Sequence, residues 1–307
     1  MHSSIKHLFS CFYGLIILRR SSMNRFFLLP IILTSMISIS AAKIKPVKVF
    51  ILAGQSNMEG KGKIDPLLNH QIKDKETKDF FAHFHKNGEY IMRDDVWINY
   101  LDRHGELTVG YGSPGCIGLE LQFGHIIGDY YDEQVLLIKT AWGGKSIGRD
   151  FRPPSSGAPS NKMLDQLVVK MIERDYNNII RKEWNKLKKH NPKITRKEVE
   201  TESSALFDEI RKVKKAEYHK QVVNSFGHFY RLMMNEIKTT LSELKTRFPK
   251  YDGQGYEIAG FIWFQGWNDM YGDFPNEYAY NLENFIRDVR KELEVPNLPV
   301  AIGVMGQ

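Results

Sequence analysis

Short apolar runs alternate along this chain with longer segments of helical periodicity. Four of the runs are seven residues long and nearly continuous in hydrophobic character, without the alternation of a half-exposed strand. Such runs are typical of parallel strands that are covered on both faces of a sheet. The four predicted strands are Val47 to Ala53, Val135 to Ala141, Ile258 to Phe264 and Pro299 to Met305.

The segments between these strands predict helices. Strands that alternate regularly with helices predict an α/β protein, in which a mostly parallel sheet is sandwiched between two layers of helices. Ligands of such sheets bind at the carboxyl ends of the strands. The predicted helices are Gly118 to Tyr131 with Leu119, Phe123, Ile126 and Ile127 on one face, Phe226 to Phe248 with Phe229, Met233, Ile237 and Leu241 on one face, and Asn276 to Leu293.

The stretch from about residue 160 to residue 225 interrupts this alternation and predicts a charged helical hairpin. Apolar residues recur at helical spacing from Ile172 to Leu187, and Asn191-Pro192 ends the run. Thr195 and Glu198 have the spacing of a capping box, which predicts the start of a second helix. Two roles stay open for this insertion: a lid or partner surface, and a solvated decoration without a catalytic role.

The N-terminal 42 residues predict a leader with a secretory signal peptide. Met23-Asn24-Arg25 precedes an apolar stretch from Phe26 to Ile39, and Ser40-Ala41-Ala42 forms a small-residue cleavage site. A second apolar run, Leu8 to Leu18, lies upstream, so translation starts at either Met1 or Met23. Neither run reaches the ~20 residues of a membrane-spanning helix. We therefore expect a secreted or periplasmic protein without a stable membrane span, whose mature chain begins near residue 43.

Composition excludes several classes of function. Cys116 is alone in the part predicted to be exported, so no disulfide framework is expected, and no Cys/His cluster has zinc spacing. The net charge of +7 is concentrated in residues 161 to 220, which hold 16 Lys/Arg against 10 Asp/Glu. Mixed-sign charge of this kind indicates a solvated helix face rather than a nucleic-acid partner.

A phosphate-binding loop is excluded as well. Gly143-Gly144-Lys145-Ser146 ends like such a loop, but Lys139 stands where that loop needs glycine. We expect no metal and no cofactor.

Polar segments directly follow three of the predicted strands and should meet at one edge of the sheet. One of them carries Ser56, in Gly54-Gln55-Ser56-Asn57-Met58. A serine in a tight turn at a strand end exposes its hydroxyl beside backbone N–H groups, as acyl transfer requires. The segment lacks the second glycine of G-x-S-x-G, which argues against the common α/β-hydrolase arrangement. The other two segments are Trp142-Gly143-Gly144 and Gln265-Gly266-Trp267-Asn268.

Asn268 and Gly118 supply further groups for an oxyanion. The Asn268 side chain offers an amide donor at a second strand end, beside the N–H of Ser56. Gly118 has no side chain to obstruct the approach of its own N–H. Serine, glycine and asparagine occur in this order along the chain, and they are the first three of the four residues that give the SGNH hydrolases their name.

The blocks around these residues resemble those of one group within the SGNH hydrolase superfamily, the sialate O-acetylesterases and acetylxylan esterases. The resemblance covers roughly residues 47 to 160 and 226 to 307, and two weaker stretches, 93–97 and 150–157, are also similar. The four blocks are Val49 to Met58, Gly118-Leu119-Glu120-Leu121-Gln122-Phe123-Gly124, Ala141-Trp142-Gly143-Gly144-Lys145-Ser146 and Trp263-Phe264-Gln265-Gly266-Trp267-Asn268-Asp269.

The resemblance implies a three-layer α/β/α sandwich of the flavodoxin-like SGNH type over residues 43–307, and removal of acetyl groups from sugar hydroxyls. Ser56 would be the nucleophile, and Gly118 and Asn268 would donate hydrogen bonds to the oxyanion. The substrate would be an acetylated carbohydrate. Candidates for sugar contact are Gln55, Trp142, Gln265 and Trp267, with packing around the site as the other interpretation for the two tryptophans.

The chain departs from this group at the general base. The group carries a histidine in an Asp-x-x-His segment beyond the strand that corresponds to Pro299 to Met305, whereas the last histidine here is His228. Without imidazole to accept its proton, a serine hydroxyl is a poor nucleophile at neutral pH. We expect the given sequence to be truncated before that segment. The histidines that could substitute are His83, His85, His104 and His125.

Two other functions stay open. A carbohydrate-binding relative that keeps the cleft and lacks the base would bind acetylated sugars without hydrolysing them. An SGNH lipase or thioesterase would need an apolar groove for a longer acyl chain.

Overall fold

Six strands form the central sheet of the protein, whose computed structural model describes residues 45–304. The predicted leader and signal peptide, and the last three residues, lie outside the described residues. In chain order the strands are β1 (Val47–Gly54), β2 (Gly62–Lys63), β3 (His85–Lys86), β4 (Glu89–Tyr90), β5 (Arg93–Tyr100), β6 (Arg103–Leu107), β7 (Cys116–Ile117), β8 (Val135–Ala141), β9 (Tyr256–Phe264) and β10 (Val300–Ile302).

The central sheet has the order β10-β9-β1-β8-β5-β6. Its first five strands are parallel, and β6 is antiparallel to β5 at the edge. The remaining strands form two short antiparallel pairs, β2 with β7 and β3 with β4. All four predicted strands are present, the last only as Val300–Ile302. Strand β1 lies between β8 and β9, where the strand order reverses, and such a switch point is where ligands bind in open α/β sheets.

Helices lie between the strands and beside the sheet. They are α1 (Ser56–Glu59), α2 (Asn69–Lys73), α3 (Lys78–Phe81), α4 (Leu119–Tyr130), α5 (Asn161–Lys188), α6 (Arg196–Glu202), α7 (Ser204–Ser225), α8 (His228–Ser242), α9 (Leu244–Arg247) and α10 (Phe274–Glu292). Short 3₁₀ and π turns occupy Ile64–Leu68, Ala82–Phe84, Pro154–Ser156 and Trp267–Asp269. No helix among the described residues is long and apolar enough to cross a membrane.

The two faces of the sheet are covered by different helices. Successive side chains of a strand point to opposite faces, so Val49, Ile51 and Ala53 pack in the cluster that contains residues of α8, α9 and α10. Phe50 and Leu52 pack on the other face, in the cluster that α4 joins. The protein is therefore a three-layer α/β/α sandwich with a mostly parallel sheet, as the sequence predicts.

Helix α4 lies unusually close to the sheet. A Cβ atom at Gly124 would be 2.1 Å from Leu107 Cδ2, and one at Gly128 would be 2.6 Å from Val96 Cγ2. The two glycines thus form part of the contact face, together with Leu119, Phe123 and Ile127, which pack against the cluster on this side of the sheet as predicted. Ile126, predicted to face the core, is 57% exposed, so that assignment was wrong.

Two long helices, α5 and α7, occupy most of the insertion and pack through an apolar seam of their own. Val168 and Ile172 of α5 are buried against Tyr218 and Val222 of α7. The predicted capping box is present: the Thr195 side chain accepts from the Glu198 N–H, and the Glu198 carboxylate accepts from the Thr195 N–H. Phe274, at the start of α10, packs against the same seam, which joins the insertion to the edge of the sandwich.

Candidate active site

The end of β1 is fixed against the end of β9 by a glycine that no other residue could replace without strain. Gly54 has a φ of 155°, and a Cβ atom there would lie 2.2 Å from the carbonyl oxygen of Phe264. Positive φ and close backbone approach both favour glycine. The chain then turns directly into α1, of which Ser56 is the first residue.

Ser56 is partly exposed at this turn. Its Oγ forms no hydrogen bond with another described side chain or backbone group, whereas its carbonyl accepts from the Gly60 N–H at 2.9 Å. Gly143, in the loop after β8, is a direct neighbour, because a Cβ atom placed there would be 3.8 Å from the Ser56 Cβ. The hydroxyl therefore has no hydrogen-bond partner among the described residues.

Gln55 connects the turn at Ser56 to the segment that carries Asn268. Its buried Oε1 accepts from Gln265 Nε2 at 3.1 Å and from the backbone N–H groups of Gly266 and Asn268, each at 3.4 Å. The residue before Ser56 is thus bonded to the backbone of Asn268. The Asn268 carboxamide itself forms no hydrogen bond among residues 45–304, so its amide is available as a donor.

Asp269 holds the loop after β8 against the loop after β9. Its carboxylate accepts from the backbone N–H groups of Ile147 at 2.9 Å and Gly148 at 2.7 Å, and from Gln265 Nε2 at 2.5 Å. Gln265 also donates to the carbonyl of Lys145 at 2.9 Å. Burial raises the pKa of Asp269, against these three donors. Asp269 lies in the predicted block Trp263 to Asp269, but the sequence pattern assigns it no role.

The side chains of Gln55 and Gln265 therefore form hydrogen bonds inside the protein. Both side chains are almost fully buried, with relative exposures of 2% and 3%. Their amides join loops, so contact with a sugar would require them to leave these partners. The two tryptophans differ from each other: Trp142 is half-buried against Phe229, whereas Trp267 is 52% exposed at the rim. Sugar contact by these four residues stays a prediction, which their exposure supports best for Trp267.

Gly118 lies beside the far end of the α1 turn, and its N–H is already engaged. A Cβ atom at Gly118 would be 2.9 Å from the Gly60 Cα. Its N–H donates to Glu120 Oε1 at 2.8 Å. An oxyanion role for this N–H stays a prediction, and it would require the group to turn from the carboxylate toward Ser56.

Glu120 belongs to a fully buried ion pair that the sequence analysis missed. Lys139 Nζ lies 2.5 Å from Glu120 Oε2, and both side chains have 0% exposure. The ammonium also donates to the carbonyls of Glu59 at 2.9 Å and Tyr111 at 2.7 Å, and lies 4.7 Å from the Tyr100 ring centre. Burial lowers the pKa of Lys139, and Glu120 opposes this. A lysine inside an otherwise apolar strand was the available signal.

Glu59, the last residue of α1, bonds the segments on both sides of this short helix. Its carboxylate accepts from Lys61 Nζ at 2.8 Å, from the Ser113 hydroxyl and from the Gly143 N–H. Burial raises the pKa of Glu59, but the hydrogen bonds from Lys61 and Ser113 outweigh it and the pKa is lowered. The carboxylate therefore stays ionised and fixes the loop after β8 beside Ser56.

The four substitute histidines all contact residues away from Ser56. His85 packs on Tyr90, and His83 bonds Gln122 at 2.7 Å. His104 lies on β6, three strands from β1, which is roughly 14 Å at the usual strand spacing. His125 is buried on α4 against Phe84. No described hydrogen bond joins any of them to Ser56.

His125 should make stability depend on pH. Burial, aided by Arg93 and His83, lowers the pKa of His125 to about 4, while Asp129 and Asp95 oppose the shift. The unfolded chain binds a proton below ~6.5 that the folded chain does not bind, so stability falls as the pH drops from ~6.5 toward 4. Between pH 7 and pH 5, urea unfolding should show that the wild type loses about 2 kcal/mol more than His125→Phe.

The matched control for this measurement is His104→Gln, which removes an exposed histidine from the edge strand. It should lose as much stability as the wild type over the same pH interval. A wild-type loss equal to that of His125→Phe would contradict the assignment.

No group of three or more His, Cys, Asp or Glu side chains that could hold a metal ion occurs in the described part of the chain. The Ser56 hydroxyl and the Asn268 carboxamide form no hydrogen bond among the described residues, and Gln55 joins their two segments. A serine at the end of the central strand, with the glycine and asparagine segments following in order on an α/β/α sandwich, defines an SGNH-type hydrolase domain.

A family model described as "Carbohydrate esterase, sialic acid-specific acetylesterase" matches residues 46–194 and 212–307. The chain belongs to this family of carbohydrate esterases, and the predicted resemblance is confirmed. The family supports acetylesterase activity on sugars in general. A crystal structure of a protein from Arabidopsis thaliana is similar at 16% identity, over 84% of this chain and 73% of that chain, with a TM-score of 0.43. No significant match was found among curated proteins.

Proposed function

We propose that this protein is an exported carbohydrate O-acetylesterase that uses Ser56 as its nucleophile. The observation that carries the proposal is the bond between Gln55 Oε1 and the Asn268 N–H, since it fixes the turn of Ser56 against the segment of Asn268. A free hydroxyl and an unbonded carboxamide then belong to adjoining turns at the switch point of the sheet. Nucleophile and oxyanion donor are the two groups that acyl transfer needs first.

The proposed reaction has two halves. Ser56 Oγ attacks the acetyl carbonyl carbon and gives its proton to a base. The carbon–oxygen bond to the sugar then breaks, and the departing sugar oxygen takes the proton from that base and becomes a hydroxyl. Water attacks the acetyl-serine in the same way, which releases acetate and restores the hydroxyl.

The negative charge on the carbonyl oxygen would be held by two donors that are not engaged elsewhere among the described residues. The Ser56 N–H is the first of helix α1, and such an N–H has no acceptor within its own helix. The Asn268 side chain is the second donor. Gly118 would be a third only after its N–H leaves Glu120.

Trp267 supports a sugar substrate rather than a long acyl chain. Its half-exposed ring lies at the rim with Met270 and Tyr271, which are 58% and 61% exposed. The rings of tryptophan and tyrosine offer an apolar face together with a polar edge. A sugar ring can pack on such a face while its hydroxyls bond the polar edge.

A second candidate is a carbohydrate-binding protein without hydrolytic activity. It is favoured by one observation, that His83, His85, His104 and His125 all contact other parts of the protein. The experiment measures acetate release and sugar binding together, on 4-nitrophenyl acetate and on acetylated xylo-oligosaccharides and sialic acid. The esterase should release acetate and prefer acetyl over longer acyl groups. Saturable binding without acetate release would establish the second candidate.

A further inference from the structure

A cavity of about 450 Å³ lies where the inserted helices α5 and α7 meet the loop after β8. Its size falls within the range of small-molecule sites. The loop that forms one wall is the loop whose other end, Gly143, adjoins Ser56. Arg149 in that wall directly follows Gly148, whose N–H donates to Asp269, the residue after Asn268, at 2.7 Å. The cavity therefore adjoins the loop that borders the candidate active site.

Three cationic side chains line this cavity, and no carboxylate does. They are Arg149 from the loop and Lys170 and Arg174 from α5. Lys170 and Arg174 are four residues apart, so they share one face of the helix, where like charges repel. Lys170 forms no ion pair within residues 45–304, and the nearest contact of Arg174 with an acid is a long one of 3.8 Å to Asp175.

Arg149 has unused hydrogen-bonding capacity at this point. One terminal nitrogen donates to Asp150 Oδ1 at 3.2 Å. Its Nε is buried and has no hydrogen-bond partner among the described groups. Asp150 thus forms an ion pair with Arg149, while its other oxygen accepts from the N–H and hydroxyl of Ser146. Lys170 is the cation of the cavity that has no ion pair among the described residues. A buried guanidinium nitrogen without an acceptor is unfavourable, and a carboxylate is one of the acceptors that match its planar geometry.

The rest of the lining suits a sugar ring. Leu167, Met171 and Val222 provide an apolar surface, and Gln221 and Ser225 add polar groups at its edge. An apolar wall with a few polar groups is the usual composition of a site that binds a small ring-shaped ligand. The cationic groups add a requirement for negative charge.

We infer that the cavity formed by Arg149, Lys170 and Arg174 binds the carboxylate of an acidic sugar unit that neighbours the acetylated unit in the substrate. The inference rests on the proposed function for the identity of the polymer, and on the cavity alone for the carboxylate. The insertion then serves as a wall of the binding cleft. It selects acidic over neutral acetylated carbohydrates.

The test is calorimetric titration of the intact protein with D-glucuronate, and with D-glucuronamide as the neutral ring of the same shape. Glucuronate should bind with an affinity at least ~10-fold higher than that of glucuronamide, and added salt should weaken it. Arg149→Gln and Lys170→Gln should each lower the glucuronate affinity about 10-fold, a typical effect of losing one charged contact. Lys182→Gln, an exposed lysine of α5 that does not line the cavity, should leave it unchanged.

Three results would overturn the inference: no saturable binding of glucuronate, equal binding of glucuronamide, or unchanged affinity in both cavity variants. Equal binding of glucose 6-sulfate would also overturn it, because the cavity would then be a general anion site. Circular dichroism of each variant excludes loss of folding as the cause. Acetate release without glucuronate binding would overturn the inference and leave the proposed esterase function intact. Glucuronate binding without acetate release would support the carboxylate site and contradict the esterase function.

Discussion

Replacing Ser56 with alanine should abolish acetate release while leaving the protein folded. Loss of one oxyanion donor in a serine hydrolase costs ~10²-fold to 10³-fold in turnover, and loss of the nucleophile costs more because no acyl-enzyme can form. We therefore expect a decrease of more than ~10³-fold. The measurement is the rate of acetate release from 4-nitrophenyl acetate and acetylated sugars by the purified protein.

The fold should tolerate this change, since the Ser56 hydroxyl makes no described hydrogen bond that alanine would break. The unfolding free energy should change by no more than about 0.5 kcal/mol. Ser204→Ala, at an exposed position of α7, is the matched control and should keep full activity. Turnover retained by Ser56→Ala would remove Ser56 from the role of nucleophile.

The sheet could be predicted wherever burial alone determines the sequence of a strand. Strands β1, β8 and β9 are covered on both faces, so most of their residues are apolar. Strand β5 is just as central, yet it begins with Arg93-Asp94-Asp95 and contains Asn99. Arg93 and Asp95 bond each other, and Asn99 is bonded by a partner far along the chain, with Arg247 at 2.6 Å from its Oδ1. The hydrophobic pattern of a short segment contains no information about a distant partner. Strands β5 and β6 were therefore not predicted.

The same distinction separates the predicted from the missed residues of the site. Ser56 and Asn268 follow directly from strands that the pattern predicts, so their place at one edge of the sheet could be inferred. Lys139 and Glu120 are 19 positions apart, and only the packing of α4 against β8 brings them together. Their role as a buried pair depends on that packing. It could not be inferred from either residue alone.

Replacing Lys139 with methionine should destabilise the protein by about 3–5 kcal/mol, the usual effect of removing one partner of a buried ion pair. Methionine is close to the lysine stem in length, so little volume is lost. Glu120 would be left as an unpaired buried carboxylate, and the carbonyls of Glu59 and Tyr111 would lose their donor. Urea unfolding at neutral pH measures the change.

The double variant Lys139→Met with Glu120→Gln should recover part of this loss, because the uncompensated charge is then absent. The control is Lys238→Met, which breaks the exposed pair with Glu292 at 3.1 Å and should cost only about 0–1 kcal/mol. A loss in Lys139→Met no larger than in this control would show that the buried pair does not hold the α1 turn. The stability recovered by the double variant measures the cost of the unpaired charge. The loss that remains measures the hydrogen bonds to the carbonyls of Glu59 and Tyr111. Only this remaining loss bears on the position of Ser56.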